Sequence, residues 1–431
     1  MAGRDESSIP KGRLRRTAQV GSVVGTQGAR YAGTRAANVA RSDDNAAGAL
    51  ERRHLEAAER MVETLGKMKG AAMKIGQLAS FIDTEFLPPE YRELYQEQLA
   101  TLRTSAPPMP WKKVKRVLDE EWAEPVEELF EHFEHEAAAA ASIGQVHRAV
   151  LPDGRRVAVK VQYPGVADAI AADMQNAGLL MRMAKALAPG LDAKAAAAEL
   201  KERVLEELDY ELEAQSQRSF SRAYRGHPFV LVPDVVTRLS TERVLVTEWV
   251  DGMGFEQVRE LPQAERDRFG EIVYRFCFGS IYHLQHFNAD AHPGNYILTP
   301  DGKVAFIDFG MTKHLDKDQI ELEISALEAV FAADPERLRV ALHDLGFLNN
   351  PRKIDAELLM EHVKAVGGWY MEDREVRVDS RRVMDAIAAV SDPRSEFYRI
   401  MRRENLPANE LMGRRMESGL LAVLGQIEAT R

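Results

Sequence analysis

Residues 142–164, SIGQVHRAVLPDGRRVAVKVQYP, alternate apolar and polar side chains on both sides of Asp153-Gly154. Alternation sends successive side chains to opposite faces of a strand, and Asp-Gly suits the left-handed backbone of a tight turn, so the segment predicts a β-hairpin. Its second strand carries Lys160 among Val157, Ala158, Val159 and Val161. A lysine there either snorkels from an exposed strand face or serves an anion, and the strand alone does not choose.

Just before the hairpin, where a phosphate-cradling glycine loop is expected, residues 136–149 read EAAAAASIGQVHRA. Alanine is about 1 kcal/mol less at home than glycine at positive φ. The run therefore predicts a stiffer loop that orders into a helical turn. The amides of Ser142, Ile143, Gly144 and Gln145 are left to meet phosphate near Gly144.

Around the hairpin the chain organises as α+β. Residues 1–45 form a basic arm rich in Gly, Ala, Arg and Ser, expected to be partly disordered. Residues 46–110 carry helical periodicity, with a proline-marked linker at Pro107, Pro108 and Pro110. Residues 111–252 open with the amphipathic helix WKKVKRVLDEEW and hold the strands, with helices inserted at 165–188 and 192–217. Residues 253–431 are mainly helical, interrupted by YILTPDGKVAFIDFG, two short strands joined at Asp301-Gly302.

A net charge of −10 argues against a general nucleic-acid binder. The lone Cys277, in the apolar run YRFCFGSIY, excludes an internal disulfide and a cysteine metal cluster, and reads as a buried thiol in a reducing compartment. No apolar run approaches the roughly 20 residues that span a bilayer, and no signal peptide is evident. A cytoplasmic protein is expected, with the basic arm available for peripheral membrane contact.

Four pieces carry chemistry together. The first is Lys160. The second is EELDYELEAQ, with Glu207, Asp209 and Glu213 on a predicted helix, where Asp209 and Glu213 are four apart and share a face. The third is HFNADAHPGNYIL, where Asp290 and Asn295 stand five apart in a loop broken by Pro293-Gly294. The fourth is Asp308-Phe309-Gly310, directly after a strand. In that order the pieces match what phosphoryl transfer needs: a cation on the phosphates, a metal clamp and an aligned acceptor. Lys160 supplies the charge, Glu213 fixes it, Asp290 receives or orients the acceptor proton, and Asn295 and Asp308 hold magnesium. His147 and His292 have no second ligand at metal spacing and read as turn or cleft hydrogen-bonding residues.

With these motifs the sequence resembles the ABC1 family of atypical kinases, also called AarF, UbiB or ADCK. The resemblance covers roughly residues 45–431 and rests on MKIGQLAS, AAAASIGQVH, VAVKVQYPGV, ELDYELEA, ADAHPGN and IDFG. It implies a bilobal protein kinase-like fold with a helical extension packed over the cleft. From that extension Lys74 and Gln77 of the KxGQ motif would project into the nucleotide site. It further assigns Ala141, Ser142, Ile143, Gly144, Gln145, Val146, Ala158, Glu207, Asp209, Glu248 and Val250, beside Lys160, Asn295 and Asp308, to nucleotide binding. Asn288 stands where relatives commonly have His, and Ala291 where they have Pro, which predicts altered loop rigidity without loss of metal binding. The resemblance implies ATP and Mg2+ as cofactors, and a lipid or isoprenoid-quinone precursor as partner. Two readings stay open: an ATP-dependent phosphotransferase or ATPase, and an ATP-binding regulator with negligible catalysis. An aminoglycoside-type small-molecule kinase is disfavoured by the Lys74–Gln77 helix and the alanine loop.

Overall fold

The computed structural model describes residues 109–141, 143–168, 208–371, 374–379 and 410–430, with scattered positions between these runs. The arm at 1–45, the extension with Lys74 and Gln77, and Ser142 and Glu207 lie outside the described residues, as do most of the helices expected at 165–188 and 192–217.

Helix α1 (Trp111–Glu121) follows Pro110, whose extended backbone ends the preceding segment, and buries Val114, Val117 and Leu118 on one face. That face packs on a five-stranded sheet of β1 (His132–Phe133), β2 (Ala139–Ala140), β3 (Gly144–Val150), β4 (Arg156–Gln162) and β6 (Val244–Glu248). A short helix α2 (Val126–Leu129) links α1 to β1. The β3–β4 pair turns at Gly154, which sits at φ +84° where a side chain is disfavoured.

Register decides which side chains face the cleft. In β3 and β4, Val146 lies opposite Lys160, Arg148 opposite Ala158, and Gln145 opposite Val161. Directly opposed residues share a face, so Val146, Ala158 and Lys160 look one way while Val157, Val159 and Val161 join the core under α1.

The alanine segment is not helical. Ala139 and Ala140 pair with Val146 and Gln145, and the Ala141 amide donates to the Gly144 carbonyl at 2.9 Å, closing a tight β-hairpin. Cross-strand hydrogen bonds override alanine's helix preference here.

Helix α3 (Tyr210–Ala223) starts one residue after Asp209, whose carboxylate accepts from the Glu211 amide as an N-cap. Asp209 is therefore outside the helix, and the expected shared face with Glu213 does not form. The buried stripe of α3, Tyr210, Glu213, Ala214, Gln217, Phe220 and Ser221, has helical spacing with one carboxylate in it.

A second sheet joins β5 (Val230–Leu231), β10 (Val304–Phe306), β9 (Tyr296–Leu298) and β7 (Met253–Gly254). The β9–β10 turn holds Gly302 at φ +78°, as Asp301-Gly302 predicts. A two-stranded ribbon pairs β8 (His286–Asn288) with β11 (Thr312–His314). The helices that follow are α4 (Phe255–Arg259), α5 (Gln263–Gly279), α6 (Lys317–Phe331), α7 (Pro335–Asp344), α8 (Ala356–Met371) and α9 (Leu411–Gln426). Helices α5 and α9 share one core with Phe220, Phe306 and Phe309. Cys277, on α5, is a free buried thiol whose pKa burial pushes up to about 12.

Candidate active site

Lys160 and Glu213 meet across the cleft. Lys160 Nζ donates to both carboxylate oxygens of Glu213 at 2.9 Å, and to Asp308 Oδ2 at 3.1 Å. The Glu213 side chain is only 2% exposed, and that of Lys160 13%. A carboxylate in the apolar stripe of a helix is tolerable because the ammonium is there. Burial works against the charge on Lys160, but Asp308 and Glu213 outweigh it and hold the lysine protonated well above its ordinary range. Through the Lys160 ammonium, Glu213 ties α3 to the Asp308-Phe309-Gly310 segment. Phe309 packs on Phe220 of α3 with ring centroids 4.8 Å apart, a second tie two turns further along.

Asp308 turns back on itself: its Oδ1 accepts from the Gly310 amide at 3.0 Å. Its carbonyl accepts from Asn288 Nδ2 at 2.7 Å, while Asn288 Oδ1 receives the Asp290 amide at 2.9 Å. Asn288 thus links the loop of Asp290 to that of Asp308.

In that loop Asn295 Nδ2 donates to Asp290 Oδ2 at 3.0 Å. This fixes the amide so that its oxygen remains an acceptor. The loop holds a short 3-10 turn, Pro293–Asn295, capped by His292 Nδ1 accepting from the Gly294 amide. His292 therefore has the turn role its sequence context suggested.

Three expected nucleotide contacts are placed differently. Gln145 is 1% exposed and faces α1: its Oε1 accepts from the Met109 amide at 2.6 Å, and its Nε2 donates to the Met109 carbonyl at 3.2 Å and contacts His147. It clamps the entry of α1, because odd positions of β3 look away from Lys160. His147, fully buried, bonds the Glu134 carbonyl through Nδ1, and burial lowers its pKa. Ile143 is also buried, at 1% exposure. Glu248 turns its carboxylate to the Asp234 amide at 3.2 Å, so at that position only backbone faces the cleft. Its neighbours Thr247 and Leu245, opposite Ala158 and Lys160, occupy the cleft face instead. Sequence reasoning missed both, although alternation along β6 predicts them once Val244 and Val246 are placed in the core.

The larger omission is Arg415. From α9 its Nη2 donates to Asp290 Oδ1 at 2.6 Å, closing an ion pair that is 16% and 25% exposed. The two carboxylate oxygens of Asp290 are thereby held by Arg415 and Asn295. Helix α9 reaches the loop because Gly419 lets it approach: a Cβ there would stand 3.1 Å from that of Ala291. Ala291 is buried at this contact. A signal existed in the sequence, since Arg415 lies on the stripe of Met412, Met416 and Leu420, where a charge is out of place unless paired.

Magnesium fits this donor set. Asn295 offers an amide oxygen and Asp308 a carboxylate, hard oxygen ligands of the kind that complete an octahedron with phosphate and water. Among the described residues no cluster of three or more His, Cys, Asp or Glu could hold a metal.

The family model described as ABC1 atypical kinase-like domain matches residues 101–342. The mitochondrial atypical kinase coq-8 of Caenorhabditis elegans is 33% identical over 296 residues, covering 68% of this chain and 39% of its own length. The mitochondrial atypical kinase COQ8B of Rattus norvegicus is 31% identical over 359 residues, covering 80% of this chain and 67% of its own. The chain thus spans from 39% to 67% of these curated relatives. Among solved structures, Rv3197 of Mycobacterium tuberculosis, in complex with erythromycin, matches with a TM-score of 0.63 at 32% identity, covering 90% of this chain and 96% of its own.

Proposed function

The chain belongs to the ABC1 atypical kinase-like family, and on that premise we propose that it binds Mg-ATP between Lys160 and Asp308 and moves or hydrolyses the terminal phosphoryl group. The observation that carries this reading is the Lys160 ammonium within 3.1 Å of both Glu213 and Asp308, beside an Asp290–Asn295 pair.

Lys160 meets the phosphate chain as a fixed cation, held in place by Glu213, so little reorganisation is needed when charge shifts toward the leaving group. Asn295 and Asp308 would hold magnesium, which would supply neutralisation of charge on the phosphates. Asp308 must give up its bond to Lys160 to do this, and the bond of its other oxygen to the Gly310 amide keeps it aimed. Val146, Ala158, Leu245 and Thr247 form the apolar ceiling for the base. Asp290 orients the attacking hydroxyl or water once Arg415 or Asn295 yields one of its oxygens, which makes the Arg415 pair a brake on proton transfer as well as a support.

The resemblance to this family supports an acceptor from lipid or isoprenoid-quinone metabolism. No helix among the described residues is long and apolar enough to cross a membrane. The basic arm at 1–45 would bring the chain to anionic lipid, each cation near the surface contributing about 1 kcal/mol.

A regulator that binds ATP without turning it over is the second reading, favoured by the occupied carboxylate of Asp290. Labelled γ-phosphate, supplied as Mg-ATP with anionic vesicles and quinone-ring analogues, separates the outcomes. Label on an organic acceptor means a transferase, free phosphate means an ATPase, and intact ATP despite binding means a regulator.

A further inference from the structure

Tyr210, the first residue of α3, is fully buried beside Lys160, whose ammonium lies 4.9 Å from the centre of its ring. Its hydroxyl points to the base of the alanine hairpin: a Cβ at Gly144 would lie 3.0 Å from the hydroxyl oxygen. That hydroxyl has no hydrogen-bond partner among the described residues. Burying a hydroxyl unpaired is costly, and a phenylalanine would fill the same space and give Lys160 the same ring face without that cost. The hydroxyl, and not the ring, is what needs explaining.

Its surroundings specify the partner. Beside the ring lies the Lys160 ammonium, to which Glu213 and Asp308 already bond. Burial raises the phenol's pKa, so it remains a donor. The acceptor it lacks is thus an anion that Lys160 also attracts, entering below the hairpin. We propose that Tyr210 is a nucleotide-binding residue whose hydroxyl donates to a phosphate oxygen of the bound nucleotide, between the Lys160 ammonium and Gly144. This deepens the nucleotide-site reading and rests on it. Gly144, which has no Cβ, leaves the space beside the hydroxyl free of a side chain.

The test compares wild type with Tyr210→Phe by calorimetric titration of MgADP and of adenosine, which lacks phosphate, alongside melting of the nucleotide-free proteins. The expected result is MgADP binding weakened about tenfold or more, the scale of a lost hydrogen bond to a charged group. Adenosine affinity should be unchanged and the nucleotide-free melting temperature no lower. In wild type labelled at tyrosine Cζ, the Tyr210 carbon resonance should move with MgADP and stay with adenosine. Equal MgADP affinity in the two proteins overturns the proposal, as does a Tyr210→Phe chain that cannot fold. A wild type that binds no MgADP overturns the nucleotide-site reading itself, and this proposal with it.

Discussion

Arg415, on the last described helix, donates to Asp290 at 2.6 Å, and a loop placed at the centre of the site is thereby governed from 125 residues downstream. The pair is mostly buried, so removing the cation leaves a partly desolvated carboxylate without this counter-charge. Arg415→Ala should lower stability by about 3 kcal/mol, the scale for breaking a buried pair, and should lower Mg-ATP turnover. Arg415→Lys should recover much of the stability and less of the turnover, because a point charge cannot reproduce the guanidinium geometry. Urea unfolding and ADP release measure the two. Unchanged stability in the alanine variant would remove α9 from the account of the site.

Gly144 is needed for proximity and not for a left-handed backbone. A Cβ there would meet the Val161 carbonyl oxygen at 2.2 Å, and neither strand can give way without losing pairing. Gly144→Ala should cost about 1–3 kcal/mol by overpacking and weaken nucleotide binding. Denaturant midpoints and titration check this; a fully stable alanine variant contradicts the geometry.

At the hairpin tip, Ala141 is held by its amide to the Gly144 carbonyl. Ala141→Gly frees the backbone without removing that bond. The ratio of ATP to ADP affinity should change, since the proposed site puts the phosphates beneath the hairpin. If both affinities match wild type, the alanines do not restrain the loop.

Glu323 is the outlier in the helical part: burial first, then the charges of Glu410 and Glu417, push its pKa from the ordinary 4.5 to about 8, against the opposing pull of Arg414 and the hydrogen bond from Gln319. A folded-state pKa raised above the unfolded one means that folding takes up a proton. That contribution is complete below pH 4.5 and is lost as the pH rises to about 8. Wild-type stability should therefore fall between pH 5 and 8 more steeply than that of Glu323→Gln, by urea unfolding across that window. Parallel profiles for the two proteins would exclude Glu323 as the source.

Lys160, Asp290, Asn295 and Asp308 were legible because each sits on a pattern of short range: alternation, a Pro-Gly turn, a strand followed by Asp-Phe-Gly. Glu213 was legible once its helix was. What failed was set by pairing at a distance. The alanine run has helix propensity, but its neighbours in β3 recruit it as a strand. Asp209 reads as helical until the chain's direction before Tyr210 makes it a cap. Gln145 reads as a phosphate contact until register turns its side chain to Met109. Arg415 carried only a weak mark, one charge on an apolar stripe, and nothing local says which carboxylate it meets.

Mg2+-dependent ADP release by wild type and Asp308→Asn tests most directly whether Lys160, Asp308 and Asn295 hold Mg-ATP for phosphoryl transfer or hydrolysis. Replacing the carboxylate by an amide keeps the shape and removes the metal-binding charge. The account predicts ADP release by wild type that requires Mg2+ and falls at least about a hundredfold in the variant, the scale of losing a principal electrostatic group in catalysis. Equal rates in the two proteins would contradict it.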